Sequence, residues 1–285
     1  MDGSILHLAC IRSSSSFTLT SSSFCQVSPL TFSLSQATVL TVSPRPHLLG
    51  QFWTYSTTTQ PEFSTEQAQK RLSDRLGDVL LKQLTLIGAP QMLSALIPLA
   101  KVQTAGRGEE EPVEMDLEGW SQPSFPALHA RGIETITTIY GTLWPTIFHS
   151  FGPHRRDIGL HELGIVYGLY LSDFRLLSPL ETEVVAYTCI TAQGLRGPAL
   201  WHVRGLGRVL GARGADTNTK KPDIDTEETD RNQIRRIKLV LTGVKAAVVA
   251  AVQFCGAEMV MRSRLDAGWP DAEDVVRELG GWGDD

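Results

Sequence analysis

The spacing of the apolar residues constrains the fold more than any other feature of this chain. From about residue 64 onward they recur every three or four positions, as at Leu72 and Leu76 or at Val244 and Val248. This is the period of one face of an α-helix, and the strict alternation of a half-buried strand is not found beyond the first sixty residues. The pattern therefore predicts an all-α fold, with about six to eight helices in a single domain that covers residues 61–285.

Several sequence signals mark where these helices begin and end. The clearest start is Ser178-Pro179-Leu180-Glu181, because serine suits an N-cap, proline the first turn and glutamate the N3 position. A second capping box is predicted at Ser64-Thr65-Glu66-Gln67, with Ser64 as the N-cap. Gly88 is expected to end the helix that follows, and Pro90 to open the next one.

Two stretches without apolar periodicity, residues 103–126 and 215–230, are interpreted as surface loops because glycine, proline and charged residues dominate them. Between them, residues 127–148 are predicted to form a helix that Pro145 kinks or ends. Asp230 is expected to cap the last long helix. A short terminal helix is expected after the second loop and the long helix, in the last twenty residues.

The first sixty residues have a composition of their own. They contain one acidic residue, Asp2, two arginines, Arg12 and Arg45, and many serines and threonines. This composition is typical of organellar import peptides, and residues 52–56 resemble a mitochondrial processing site that lacks the usual upstream arginine. The alternatives are a low-complexity tail without a targeting role and a secretory signal. We expect residues 1–60 to be a disordered leader, and the protein to be mitochondrial or otherwise cytoplasmic.

Charge and composition exclude several classes of partner and cofactor. A net charge of -5 argues against a nucleic-acid partner, because phosphate neutralisation needs a clustered basic surface. No membrane span is expected, since the most apolar run, residues 239–254, is shorter than the roughly 20 residues needed and contains Lys245. His149, His154 and His161 have no metal-ligand spacing, so neither a metal nor another cofactor is expected.

The most informative segment for function is residues 167–211. It contains Tyr167-Gly168, interpreted as a turn, then Glu183 early in the Ser178-capped helix, and His202 nineteen positions after Glu183 on the following helix. This segment resembles the core of the carboxymuconolactone decarboxylase and AhpD-like family. The resemblance implies an AhpD-like helical domain, usually homo-oligomeric, in which the glutamate and the histidine converge on a pocket.

The chain departs from that family pattern at the two positions where thiol-active members carry a CxxC pair. Those positions are Leu195 and Pro198 here, and none of the four cysteines forms a CxxC unit. Disulfide or peroxide chemistry needs a thiolate of depressed pKa, which leucine and proline cannot supply. Cys189 is expected to be a core residue. A thiol antioxidant that uses Cys189 or Cys255 is therefore the least favoured function.

What the resemblance implies is a lyase-like function without a cofactor. Glu183 and His202 would be the catalytic pair, with proton transfer or decarboxylation on a small carboxylate or lactone. Tyr167, Trp201 and Arg204 would bind the substrate. The main alternative is a non-catalytic organellar scaffold or assembly protein, in which Glu183 and His202 only satisfy each other's hydrogen bonds. Gly243, Ala247 and Ala251 recur every four residues and predict a close helix contact, in the core or between subunits.

Overall fold

The computed structural model describes residues 29–105, 123–214 and 224–283. Within these ranges the fold is all-α, as the apolar spacing predicts, and they contain no β-strand. A single antiparallel bridge joins Gly214 to Gly283. The leader residues before Pro29 lie outside the described residues, and so do most residues of the two predicted loops.

Twelve α-helices are present in the described ranges, more than the sequence predicts. They are α1 (Pro29–Val42), α2 (Leu48–Thr59), α3 (Glu66–Ile87), α4 (Ala89–Thr104), α5 (Phe125–Tyr140), α6 (Trp144–Ser150), α7 (Arg155–His161), α8 (Pro179–Ala192), α9 (Arg196–Val209), α10 (Ile224–Phe254), α11 (Ala257–Arg262) and α12 (Ala272–Leu279). Between α7 and α8 lies a π-helical segment, Glu162–Leu171, and short 3₁₀ turns occur at Pro61–Phe63, Gly141–Leu143, Gly152–His154 and Leu265–Ala267.

The expectation that residues 1–60 form a disordered leader is wrong for residues 29–60. Helix α1 is a central core element that packs against α8 and α10, and all its side chains from residue 33 to residue 42 are buried. Two of its buried hydroxyl groups are satisfied within the helix, because Thr38 and Thr41 donate to the carbonyls of Leu34 and Ala37 at 2.8 and 2.9 Å. A serine- and threonine-rich helix can therefore be buried without water partners.

Several predicted helix boundaries also need correction. The N-cap of α3 is Thr65 rather than Ser64, and its side chain accepts from the backbone N–H of Ala68 at 3.2 Å. The helix predicted over residues 127–148 breaks at Gly141, whose φ of 50° suits glycine, and Pro145 lies in the first turn of the next helix. Residues 224–230, predicted as loop, already belong to α10, so Asp230 lies inside that helix and is not its N-cap.

The other predicted helix boundaries are confirmed. Helix α8 has the predicted capping box, with Ser178 accepting from the Glu181 amide and Glu181 reaching back to the amide of residue 178. Gly88 ends α3 with a φ of 80°, and Pro90 lies in the first turn of α4. The predicted terminal helix is α12.

Helix α5 and the π-helical segment cross at a very short distance. A Cβ added to Gly132 would lie 1.8 Å from the carbonyl oxygen of Leu163, and one added to Gly168 would lie 2.4 Å from the carbonyl oxygen of Leu128. Only glycine allows two backbones to approach this closely. The Ser172 amide donates to the carbonyl of Tyr167, five residues earlier, at 2.8 Å, and this spacing is that of a π-helix. Tyr167-Gly168 therefore lies in a π-helix and is not the predicted turn.

Helix α10 supplies one long wall of the main core. Its small residues Ala247 and Ala251 are buried, and the helix packs against α1, so the predicted close contact is made within the chain. In the described residues one stretch, Asn232–Phe254, is long and apolar enough to cross a membrane by length and composition. The same criteria are met by core helices of soluble proteins, and Val244 and Val248 of this stretch lie in the core.

Candidate functional site

The glutamate and histidine singled out by their spacing do meet in the structure. Glu183 lies in the second turn of α8, and His202 lies near the middle of α9. The two helices are joined by a tight turn in which Gly194 has a φ of 75°. The Glu183 Oε1 atom lies 2.8 Å from His202 Nδ1, and both side chains are buried.

The second ring nitrogen of His202 extends this pair into a chain of four side chains. His202 Nε2 lies 3.1 Å from the hydroxyl of Tyr140, at the last position of α5. The Tyr140 hydroxyl lies 2.8 Å from the hydroxyl of Tyr167, in the π-helical segment. We call Glu183, His202, Tyr140 and Tyr167 the relay. Four elements, α5, the π-helical segment, α8 and α9, therefore each contribute one side chain to one line of hydrogen bonds.

The direction of these hydrogen bonds depends on which ring nitrogens of His202 carry a proton. An ionised Glu183 can only accept, so the Nδ1 of a neutral His202 carries the proton and its Nε2 becomes an acceptor. Tyr140 then donates to Nε2, and Tyr167 donates to Tyr140. Burial is the main cause that raises the pKa of both tyrosines above the ordinary value, and the nearby Glu183 charge adds to it. Both hydroxyls are therefore neutral donors at physiological pH.

Helix α9 can approach the relay glutamate only because residue 205 is glycine. A Cβ added to Gly205 would lie 2.3 Å from Glu183 Oε1, and it would also meet the side chain of Ile139. A larger residue at this position would displace the carboxylate that accepts from His202. The Gly205-Leu206-Gly207 sequence thus serves helix packing, since Gly207 in turn makes room for the ring of Trp282.

Aromatic side chains from α6 and the following turn lie against the tyrosine end of the relay. Trp144, Phe148 and Phe151 form a cluster with ring centroids 5.6–6.2 Å apart, which we call the aromatic roof. The centroid of Trp144 also lies 6.1 Å from that of Tyr140. Trp144 and Phe151 of the roof pack against the hydrophobic cluster that contains both relay tyrosines. Trp201, a predicted substrate-binding residue, packs half-buried against the same cluster.

The third predicted substrate-binding residue, Arg204, binds backbone. Its Nε donates to the Gly281 carbonyl at 3.0 Å, and its Nη1 donates to the carbonyl of Tyr140. One turn further along α9, Arg208 donates to the carbonyls of Thr138 and Trp282, both at 2.9 Å. The two guanidinium groups thus stabilise the negative end of the α5 dipole. Arg204 is a positioning residue for the Tyr140 backbone.

The relay is closed to solvent in this conformation. Its four side chains are between 2% and 7% exposed. A cavity of about 310 Å³ lies between α9, α10 and the start of α12, but none of the four relay residues lines it. The Glu183–His202 pair is thus hydrogen-bonded and buried. A substrate can reach it only if neighbouring side chains move.

The two cysteines that the structure describes belong to the main hydrophobic core. Cys189 and Cys255 are free and buried, and burial raises the pKa of Cys189 to about 12 and that of Cys255 to about 11. Cys189 is a core residue, as predicted. A thiolate nucleophile needs the opposite environment, one that is accessible and lowers the pKa.

We expect these two thiols to be inert in the folded protein. In a variant with Cys10 and Cys25 replaced by serine, a thiol-specific chromogenic reagent should react slowly in buffer and at once in denaturant, because only unfolding exposes the sulfurs. Reaction times in the two conditions are the measurement. Rapid labelling of the folded variant would return Cys189 or Cys255 to consideration as a nucleophile.

The surface histidines give no support for a metal centre. His149, His154 and His161 are all exposed on or between the short helices α6 and α7. Over residues 29–105, 123–214 and 224–283, no group of three His, Cys, Asp or Glu side chains is placed to hold a metal ion.

Sequence reasoning missed the central member of the relay. Tyr140 lies within the helix predicted over residues 127–148, and it stands sixty-two positions before His202. No spacing rule joins residues that far apart; only the Gly141 break, which ends α5 at Tyr140, signals a special position there. Comparison of the chain with protein-family models, curated proteins and solved structures finds no match.

Proposed function

We propose that this chain is a carboxymuconolactone decarboxylase-like protein that moves a proton to a small carboxylate or lactone without a cofactor. The observation that supports it is the unbroken hydrogen-bonded order Glu183, His202, Tyr140 and Tyr167. A carboxylate that orients an imidazole is a common arrangement for acid–base catalysis. Two tyrosines in series extend the reach of that imidazole toward the aromatic roof.

The proposed reaction is a decarboxylation followed by protonation. The bond between the substrate carbon and its carboxylate breaks, CO₂ leaves, and the electron pair that remains on carbon takes a proton from the terminal tyrosine hydroxyl. A proton from water first converts His202 to the imidazolium, and its Nε2–H then returns a proton to the tyrosines, so that the hydrogen bonds of the relay reverse their direction during this step. The high pKa of the tyrosines keeps both hydroxyls protonated until a strongly basic carbon forms. One proton is consumed for each CO₂ released.

Substrate access in this proposal requires the aromatic roof to move. The roof is carried by the short helix α6 and the turn after it, and most residues from 152 to 161 are exposed. Movement there would uncover Tyr167 and Trp201 without unfolding α8 and α9. Trp201 and the roof would then contact the apolar part of the substrate, while Arg204 keeps Tyr140 in place.

The decisive experiment is decarboxylation of a panel of small lactone carboxylates by the full chain in D₂O. We expect CO₂ release with one deuterium on the product carbon, and a loss of about 10²–10⁴-fold in His202→Ala, because general acid–base catalysis contributes on that scale. Tyr140→Phe should lose rate while keeping its fold. His149→Ala, which removes an exposed histidine, is the matched control and should retain the wild-type rate.

Wild-type activity that persists in His202→Ala would remove the catalytic assignment. The absence of turnover on the whole panel would favour a second function, a non-catalytic organellar scaffold or assembly protein. The full burial of the Glu183–His202 pair supports this second proposal, because a buried polar pair must be satisfied whether or not it reacts. In a scaffold, His202→Ala would lower the unfolding midpoint and change no reaction.

We propose mitochondrial import with one restriction, which concerns where a cleaved import peptide can end. Cleavage at residues 52–56 would remove α1 and part of α2, and α1 is buried in the core. A cleaved import peptide would therefore have to end before Pro29. The N-terminal sequence of the protein recovered from mitochondria tests this, and a mature N-terminus inside α2 would contradict it.

A further inference from the structure

The cavity between α9, α10 and the start of α12 has the construction of a small-molecule site. Its floor is apolar and consists of Val203 and Leu206 from α9, Leu241 from α10 and the ring of the buried Tyr187. Its volume of about 310 Å³ is at the lower end of the range of ligand pockets, roughly 300–1,000 Å³. A ligand of the size of a large amino acid would fit, and a dinucleotide would not.

The rim of this cavity carries charges of both signs on separate walls. Lys238 and Lys245 lie two helical turns apart on α10, and both line the cavity. Asp271 and Glu273 face them from the start of α12. One wall is therefore cationic and the other anionic, and the formal charge of the rim is zero.

The ion pairs across the rim are long. Lys245 Nζ lies 3.5 Å from Asp271 Oδ2 and also donates to the Trp269 carbonyl at 2.8 Å, while Lys238 Nζ lies 3.8 Å from Glu273 Oε1. Charge-assisted hydrogen bonds are normally about 2.7–2.9 Å long. Elsewhere on α12, Glu278 and Arg196 reach such a distance, 2.7 Å. The two walls thus contact each other through ion pairs that are longer than an ordinary charge-assisted hydrogen bond.

We propose that this cavity binds a zwitterion with an apolar body, of the chemical class of an α-amino acid with a large apolar side chain. The ligand carboxylate would bind to the lysine wall, its ammonium group to Asp271 and Glu273, and its side chain would lie on the Val203–Leu206–Leu241 floor. A simple anion would face two carboxylates at the rim, and a simple cation would face two ammonium groups. Only a ligand with both charges is complementary to both walls. The relay plays no part in this site.

Three probes of matched shape test the proposal by calorimetric titration of the full chain. They are L-phenylalanine, 3-phenylpropionate, which lacks the ammonium group, and phenethylamine, which lacks the carboxylate. We expect L-phenylalanine to bind about tenfold or more tightly than either analogue, since each analogue loses a hydrogen-bonded charge contact. Equal affinity for the three probes, or no binding of L-phenylalanine, would overturn the proposal.

Two variants test which charged group of the ligand each wall of the cavity binds. Lys245→Met should remove the preference for L-phenylalanine over phenethylamine, because the carboxylate then has lost its partner. Asp271→Asn should remove the preference over 3-phenylpropionate, and it keeps the side-chain oxygen that caps α12 by accepting from the Asp274 amide. Lys70→Met, which breaks an exposed ion pair with Asp74 on α3, is the control for charge alone.

The variants also separate this site from the relay. His202→Ala should bind L-phenylalanine as the wild type does, whatever its effect on decarboxylation. Folding of each variant is checked by its circular dichroism and unfolding midpoint, so that a loss of binding is interpreted only in folded protein. The same loss in folded Lys70→Met as in Lys245→Met would show that the rim makes no specific contact, and the proposal would be wrong.

Discussion

Replacing Gly132 by alanine is expected to lower the free energy of unfolding by about 3 kcal/mol, the upper part of the range for overpacking. The added Cβ would lie 1.8 Å from the Leu163 carbonyl oxygen and 3.0 Å from the Gly168 amide nitrogen. Both neighbours are backbone atoms, so no side chain can rotate to make room. Helix α5 and the π-helical segment would have to separate.

The matched control is Gly77→Ala, another glycine inside a helix. No atom lies within 4 Å of the position where its Cβ would be, so the variant should be more stable by about 1 kcal/mol, the difference in helix propensity. Urea unfolding followed by circular dichroism measures both variants. If Gly132→Ala is as stable as the wild type, the close crossing described for α5 is incorrect.

The crossing at Gly132 bears on function because it holds the tyrosine end of the relay. Tyr140 ends α5, and Tyr167 lies in the π-helical segment that α5 crosses. A separation of these two elements would lengthen the 2.8 Å contact between the tyrosine hydroxyls. We therefore regard the glycine pair, Gly132 and Gly168, as part of what positions the relay.

The sequence predicted the class of fold and one half of the site. Apolar spacing is a local property, so it predicts helices without knowledge of tertiary contacts, and the Ser178 capping box is equally local. The approach of Glu183 to His202 was implied by a family resemblance, and the structure shows that the two side chains meet. Tyr167, predicted to bind the substrate, lies at the end of the relay.

The parts that could not be predicted depend on long-range packing. Helix α1 has the serine and threonine content of a leader, yet Thr38 and Thr41 bond to carbonyls of their own helix and the helix is buried by α8 and α10. Composition alone does not distinguish that case from a tail. Arg204 resembles a carboxylate anchor in sequence, but the carbonyls that it binds lie at Tyr140 and Gly281 and are brought together only by the fold.

Replacing Lys82 by methionine is expected to lower the free energy of unfolding by about 3–5 kcal/mol, the cost of leaving one partner of a buried ion pair alone. Lys82 is fully buried in α3, and its Nζ lies 3.4 Å from Asp78 Oδ2. It also donates to the carbonyls of Tyr170 and Asp173 at 3.2 and 2.7 Å, which fixes the end of the π-helical segment. Methionine fills similar space but satisfies none of these groups.

The pH dependence and a double variant identify the cause of this loss. Burial raises the pKa of Asp78 and lowers that of Lys82. The folded protein thus binds the Asp78 proton more tightly than the unfolded chain does. Stability therefore falls as pH rises from the pKa of Asp78 in the unfolded chain to its higher pKa in the folded protein. In Lys82→Met part of the lost stability should therefore return as pH falls through that range, measured by urea unfolding at several pH values.

Removing the orphaned carboxylate should have the same effect at neutral pH. The double variant Lys82→Met with Asp78→Leu replaces both charges by apolar side chains, and such replacements of buried pairs are often close to neutral. We expect it to recover most of the single variant's loss; the remainder would measure the two carbonyls that have lost their donor. A double variant no more stable than Lys82→Met would show that these carbonyl contacts, and not the buried charge, give Lys82 its importance.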